Sequence, residues 1–167
     1  MYVDETRVPG GLRKRGDFAH DKGMSDCMYT SQSGLTCQSR PGSYDREILD
    51  AQTYCDADAD YLKVDHCGGD QYQAQNYSWI TFRTELDNCA KKRGRKFWLA
   101  CSSCQPVSCL RDGSCEGVQG CGEYVAQAGC DIWRTTTDIQ ARWDSIMENL
   151  DLNSLMAPVQ KANPGHY

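Results

Sequence analysis

Four short apolar runs recur at a near-constant interval, and that interval is the strongest constraint on how this chain folds. The runs open near Met24, Tyr61, Phe97 and Asp131. Stretches with helical spacing lie between neighbouring runs, so one strand and one helix repeat about every 35 residues, which is the pattern of βαβ units in a parallel sheet. A closed eight-fold barrel of such units typically takes about 250 residues. The 167 residues here hold about half the repeats, so the spacing predicts part of an α/β barrel.

The elements follow in order. Residues 1–10 read as a loop ending at Pro9-Gly10-Gly11. Leu12 to His20 forms a helix with a poor apolar pattern, ended by Lys22-Gly23. Met24 to Tyr29 is a strand that Asp26 weakens, and Thr30 to Tyr44 is a loop rich in Ser, Gly and Pro. Asp45 to Ala57 reads as a helix leading into the Tyr61 strand. The strongest helix follows Gly69, where Trp79, Phe82, Leu86 and Cys89 recur at helical spacing until Gly94 stops it. Phe97 to Ala100 is the next strand, and Cys104 to Cys121 is a cysteine-rich excursion with little periodicity. A short helix from Glu123 to Ala128, a strand from Cys130 to Trp133 and a helix from Ala141 to Leu150 close the pattern.

Within this frame one heptad carries chemistry: Tyr61-Leu62-Lys63-Val64-Asp65-His66-Cys67. An apolar strand carries Lys63, delivers Asp65 at its end, and is followed by Cys67 and the turn Gly68-Gly69-Asp70. In α/β barrels the residues just past the C-terminal strand ends do the chemistry. The alternative is that Asp65 only caps a following helix. Tyr29, Cys101 and Arg134 with Asp138 fall at the other strand ends. Two carboxylates on one rim suit glycoside hydrolysis, where one acts as nucleophile and the other as acid/base. Paired acids also ligate cations.

Composition narrows the function classes. The net charge is −5 with acids and bases interspersed, and a nucleic-acid footprint would need clustered basic residues. The basic run from Lys91 to Lys96 reads as a solvated helix end. No apolar run approaches the roughly 20 residues that span a bilayer, and the first residues contain no apolar stretch typical of a signal peptide. Eleven cysteines point to an oxidising compartment or to metal. Their odd number leaves at least one thiol free or paired outside this chain. The sequon Asn76-Tyr77-Ser78 marks Asn76 as a glycosylation candidate and is compatible with secretion.

The runs Arg40-Pro41-Gly42-Ser43, Asp50-Ala51-Gln52-Thr53, Tyr61 to Cys67 and Trp133-Arg134-Thr135-Thr136-Thr137-Asp138-Ile139 resemble glycoside hydrolase family 27, the α-galactosidase and α-N-acetylgalactosaminidase family. The order and spacing match from Pro9 to Tyr167. The resemblance implies a (β/α)8 TIM barrel of which residues 1–167 cover roughly strands 3 to 6, with a cysteine-rich insertion at 102–121. It implies a retaining hydrolase of terminal α-linked galactosyl or N-acetylgalactosaminyl residues, with no metal and no cofactor. Asp65 is then the nucleophile, Asp138 the acid/base, and Lys63 and Arg134 charge-assisted donors to sugar hydroxyls. Ser102 stands where the N-acetylgalactosaminidases place Ser and the α-galactosidases Glu. Cys37 with Cys67, and Cys101 with Cys130, fall where the family forms disulfides.

Other pairings are readings of this chain alone. Cys55 and Cys89 lie on successive helices and suit a bridge. Cys104, Cys109, Cys115 and Cys121 suit two local disulfides, against the rival reading of Cys101-x-x-Cys104 as half of a zinc site. The chain departs from the family in lacking the glycine that precedes the Tyr61 strand, where Ala57-Asp58-Ala59 stands, and in placing Ser25-Asp26-Cys27 in the first strand. By the resemblance, strands 1 and 2 would precede Met1 and strand 7 would follow Tyr167. The partners implied are an α-galactoside-bearing oligosaccharide, glycolipid or glycoprotein, and the remainder of the barrel or other chains of an assembly. The location implied is extracellular or lysosomal. The rival function is a non-catalytic structural or carbohydrate-binding component of an extracellular assembly built on the same barrel.

Overall fold

A computed structural model describes residues 3–67, 75–102, 125, 127–136, 138–154 and 157. The elements are α1 (Gly11–Asp21), β1 (Cys27–Ser31), α2 (Glu47–Asp56), β2 (Tyr61–Asp65), α3 (Gln75–Arg93), β3 (Trp98–Cys101), β4 (Ile132–Trp133) and α4 (Trp143–Ser154). The four strands form one parallel sheet in sequence order. Ser31 pairs with Asp65, Lys63 with Ala100, and Ala100 with Ile132. No helix among the described residues is long and apolar enough to cross a membrane.

The two faces of the sheet differ because strand side chains alternate. Met28, Leu62, Val64, Leu99 and Cys101 are buried in one core with Ala51 and Tyr54 of α2 and with Trp79, Phe82 and Leu86 of α3. The other face carries Tyr29, Trp98 and Ile132, which stay 45%, 43% and 38% exposed. Among the described residues this face is open at Tyr29, Trp98 and Ile132, while Ser31, Asp65 and Ala100 on it are buried. All-parallel sheets normally have both faces covered.

The first strand lies three residues later at its start than the sequence pattern suggests, and Asp26 is the reason. It is buried just before β1, where Arg15 Nη2 donates to its Oδ2 at 2.9 Å and its own N–H donates to Asp60 Oδ2 at 2.9 Å. Asp60 also meets His20 Nε2 at 2.7 Å. Helix α1, whose apolar stripe is weak, is therefore tied to the N-terminal strand ends by charged groups. It approaches closely at Gly16, where a Cβ would come 2.7 Å from the Ala57 carbonyl oxygen. Its end is the expected glycine stop: Gly23 has φ +71, and the amides of Gly23 and Met24 return to the carbonyls of His20 and Ala19.

Where the family glycine is missing, Asp58 itself adopts φ +60. Asp tolerates this left-handed position better than most residues, and its carboxylate accepts from Arg93 Nη1 at 3.0 Å and Arg95 Nη2 at 2.6 Å. Asp131 plays a similar part before β4, accepting from Leu99 N at 2.9 Å and Arg83 Nη1 at 3.0 Å. β4 begins at Ile132 and not Cys130 because the Cys130 amide donates back to the Val125 carbonyl at 3.2 Å, while the amide and the carboxylate of Asp131 both meet the Leu99 backbone.

Among the described residues, three disulfides join neighbouring repeats: Cys37–Cys67, Cys55–Cys89 and Cys101–Cys130. Cys101 is thus bonded to Cys130 and does not serve a zinc site with Cys104. Cys27 is a free, exposed thiol. The cysteine-rich excursion from Cys104 to Cys121 and half of the Glu123–Ala128 helix lie outside the described residues.

Candidate functional site

Asp65 ends β2 on the open face of the sheet, and four groups surround its carboxylate. The Tyr29 hydroxyl donates to Oδ2 at 2.9 Å, the His66 amide donates to Oδ1 at 2.9 Å, and Lys63 Nζ lies 3.5 Å from Oδ2. Ser102, at the end of the next strand, is buried alongside; its hydroxyl makes no aligned hydrogen bond, so it acts on Asp65 as a nearby dipole. Burial, with Asp65 only 9% exposed, would raise its pKa. The Ser102 dipole, the His66 amide, the Tyr29 bond and the Lys63 charge outweigh burial and hold the carboxyl below its usual range. Burial and the same carboxylate push the Tyr29 phenol up to about 12. The pair is a neutral donor facing an ionised acceptor, with the Lys63 ammonium 5.6 Å from the centre of the Tyr29 ring.

The loop after β1 closes over this carboxylate. Gln32 N donates to Asp65 O at 2.9 Å, the Ser33 hydroxyl to Cys67 O at 3.0 Å, and the amides of Gly42 and Ser43 to the carbonyls of Gly34 and Ser31. The Cys37–Cys67 bridge adds a covalent tie with Cα atoms 4.9 Å apart. Gly42 has to be glycine here, since a Cβ would overlap the Ser33 carbonyl oxygen.

A pocket of about 400 Å³ opens beside Asp65, and Lys63, Ser102, Arg134 and Asp138 line it together with Tyr61 and Trp133. Four of the residues singled out by sequence thus share one cavity. Asp65 is not among its lining residues and connects to it through Lys63. Arg134 is ion-paired with Asp138 and donates from Nε to the Thr136 carbonyl at 2.7 Å. The Asp138 side chain is 91% exposed, on the side where the sheet stays open. Asn76 falls in the first turn of α3, and its side chain lies outside the described residues.

Tyr29 is the residue whose part the sequence did not disclose. The repeat puts it near a strand end, but its bond to Asp65 depends on β1–β2 register across 36 residues.

The profile of the family described as alpha galactosidase A matches residues 1–167. The chain belongs to that alpha-galactosidase family. It is 30% identical over 175 residues to the alpha-N-acetylgalactosaminidase of Gallus gallus, a match covering 100% of this chain and 39% of that protein. It is 28% identical over 159 residues to the alpha-galactosidase of Oryza sativa, covering 94% of this chain and 33% of that protein. The structure of alpha-galactosidase from Saccharomyces cerevisiae superposes with a TM-score of 0.60 at 23% identity, covering 84% of this chain and 28% of the other. The last likeness shows the fold: the four-stranded sheet corresponds to part of the barrel of the alpha-galactosidase family. The chain spans under two fifths of the length of these curated relatives. Both activities, galactosidase and N-acetylgalactosaminidase, are represented among them.

Proposed function

We propose that residues 1–167 are the portion of a catalytic barrel, equivalent to strands 3 to 6 and bearing a cysteine-rich insertion at 102–121, of a retaining glycosidase. It acts on terminal α-linked galactosyl or N-acetylgalactosaminyl residues of an oligosaccharide, glycolipid or glycoprotein. The observation that carries this reading is the Asp65 carboxylate, held ionised on the C-terminal rim beside Lys63. A nucleophilic carboxylate must be unprotonated to attack, and the four groups around Asp65 secure that state.

In this mechanism an Asp65 oxygen attacks the anomeric carbon as the glycosidic bond breaks, giving a covalent glycosyl-enzyme. Asp138 gives a proton to the departing oxygen, then takes one from the water that releases the sugar. Lys63 and Arg134 donate to sugar hydroxyls; with the sugar bound, Arg134 turns from Asp138 to the substrate, which frees Asp138 to take up the proton that it then donates. Ser102 on the pocket wall leaves space that a longer acidic side chain would fill, which suits a 2-acetamido group. The three disulfides support an oxidising location, outside the cell or in a lysosome.

The test is trapping. The whole polypeptide would be incubated with a 2-fluoro-α-galactosyl fluoride or its 5-fluoro counterpart, digested, and the peptides weighed. Sugar mass on the peptide containing Asp65 supports the reading. Sugar held only reversibly, with no covalent adduct and no hydrolysis of an aryl α-galactoside, would turn it toward a carbohydrate-binding role.

A further inference from the structure

The rim around Asp65 holds a second constellation with a chemistry of its own. The Cys37 and Cys67 sulfurs and a carboxylate oxygen of Asp65 all lie within 4.8 Å of one another. Among the described residues this is the one group of three such donors. While the two sulfurs are bonded to each other they offer no thiolate.

We propose that reduction of Cys37–Cys67 converts this rim into a site for a thiophilic divalent cation, Zn²⁺ or Cd²⁺, held by two thiolates and the Asp65 carboxylate. The reductant is a dithiol or a phosphine. A dithiol transfers two electrons to the bridge, giving two protein thiols and its own disulfide; a phosphine with one water gives two thiols and the phosphine oxide. Each thiol loses its proton to solvent as the metal binds. Two sulfurs and one oxygen are a donor set that zinc accepts, with a fourth position left for water.

Three observations make the reduced site persist. The loop bearing Cys37 keeps the Gln32–Asp65, Ser33–Cys67, Gly42–Gly34 and Ser43–Ser31 bonds after the bridge opens, so the sulfurs stay near one another. Cys37 is exposed, which gives the reductant a sulfur to attack. Charge also balances: two thiolates and one carboxylate exceed a divalent ion by one negative charge, and Lys63 Nζ lies 3.5 Å from Asp65 Oδ2. The bound ion would occupy the carboxylate and block whatever Asp65 does. The inference does not depend on Asp65 being a nucleophile, because metal uptake is read without any sugar.

The experiment reduces the full chain with a water-soluble phosphine, removes the excess, and titrates Co²⁺ alone while recording thiolate-to-cobalt charge-transfer absorption. Zn²⁺ is then measured by competition with a chromophoric chelator. The reduced wild type should bind one metal more per chain than Cys37→Ser/Cys67→Ser, a comparison that subtracts any contribution of the other cysteines. Asp65→Asn should keep the thiolate absorption and weaken Zn²⁺ by at least about tenfold. Equal uptake by wild type and the double variant would overturn the proposal. If the double variant does not fold, Asp65→Asn decides alone, and unchanged Zn²⁺ affinity there would overturn it as well.

Discussion

The Tyr29 hydroxyl reaches Asp65 Oδ2 at 2.9 Å across the seam between β1 and β2. Each group sets the other's charge, since the carboxylate pushes the phenol up to about 12 and the phenol helps hold the carboxyl down. At any pH well below that value Tyr29 keeps its proton and Asp65 has a donor.

Tyr29→Phe removes that donor together with the hydroxyl's contact with Cys67 Sγ at 3.3 Å. A hydrogen bond to a charged group is worth about 1.5–3 kcal/mol, so kcat of the whole enzyme on an aryl α-galactoside should fall about ten- to a hundredfold with an unchanged circular dichroism spectrum. Wild-type turnover would make the phenol a spectator.

Asp131 joins Arg83 to the Leu99 amide under the sheet. Its loss leaves a mostly buried guanidinium and a strand amide short of a partner. Asp131→Ala should destabilise the fold by about 3 kcal/mol, read as a lowered denaturant midpoint. A change below about 0.5 kcal/mol, the size of an ordinary surface substitution, would mean that Asp87, already 2.6 Å from Arg83 Nη2, is enough to neutralise the guanidinium.

Glu47 provides a pH dependence. It is 4% exposed, with Oε1 lacking a partner. Burial pushes its pKa up from 4.5 against the opposing backbone amides and Ser78. The folded pKa lies above the unfolded one, so this group's stabilisation is fully present below the ordinary carboxyl value and declines as pH rises through the folded pKa. Glu47→Gln should flatten that decline. The melting-temperature difference, variant minus wild type, should therefore grow from pH 4 to pH 7, and a difference independent of pH would refute it.

The Cys55–Cys89 bridge spans 34 residues on the outer helices, away from the rim. The chain-entropy relation gives about 4 kcal/mol for a loop of that length. Cys55→Ala/Cys89→Ala should lower stability by up to that amount and leave the Asp65 surroundings intact, so a calorimetric scan should shift while any catalytic rate at 25 °C does not.

What the sequence disclosed was local, and what it withheld was paired across distance. Leu62, Val64 and Leu99 alternate with Lys63 and Trp98, so strands and faces were readable from the chain. Lys63 and Asp65 sit two positions apart, as Arg134 and Asp138 sit four apart, and short motifs carry such groups. Asp26 looked like a flaw in a strand because its partner Arg15 lies on another element and Asp60 is 34 residues on. Asp58 looked like a lost glycine because the arginines that neutralise it come from α3 and the turn after it. Tyr29 belongs to the same class. Periodicity reports which side a residue faces and says nothing about which charged group meets it there.

The disulfides also bear on how such a chain is made. Their spans of 30, 34 and 29 residues each equal about one strand–helix repeat. For a polypeptide entering an oxidising compartment from its N-terminus, both partners of the first two bridges arrive before Cys101. While Cys101 waits for Cys130, however, Cys104, Cys109, Cys115 and Cys121 emerge between them. Order of arrival serves none of the three well, since Cys55 emerges between Cys37 and Cys67, and Cys67 between Cys55 and Cys89. Correct closure thus falls to thiol exchange after synthesis, and the yield of mature protein becomes a matter of isomerase supply.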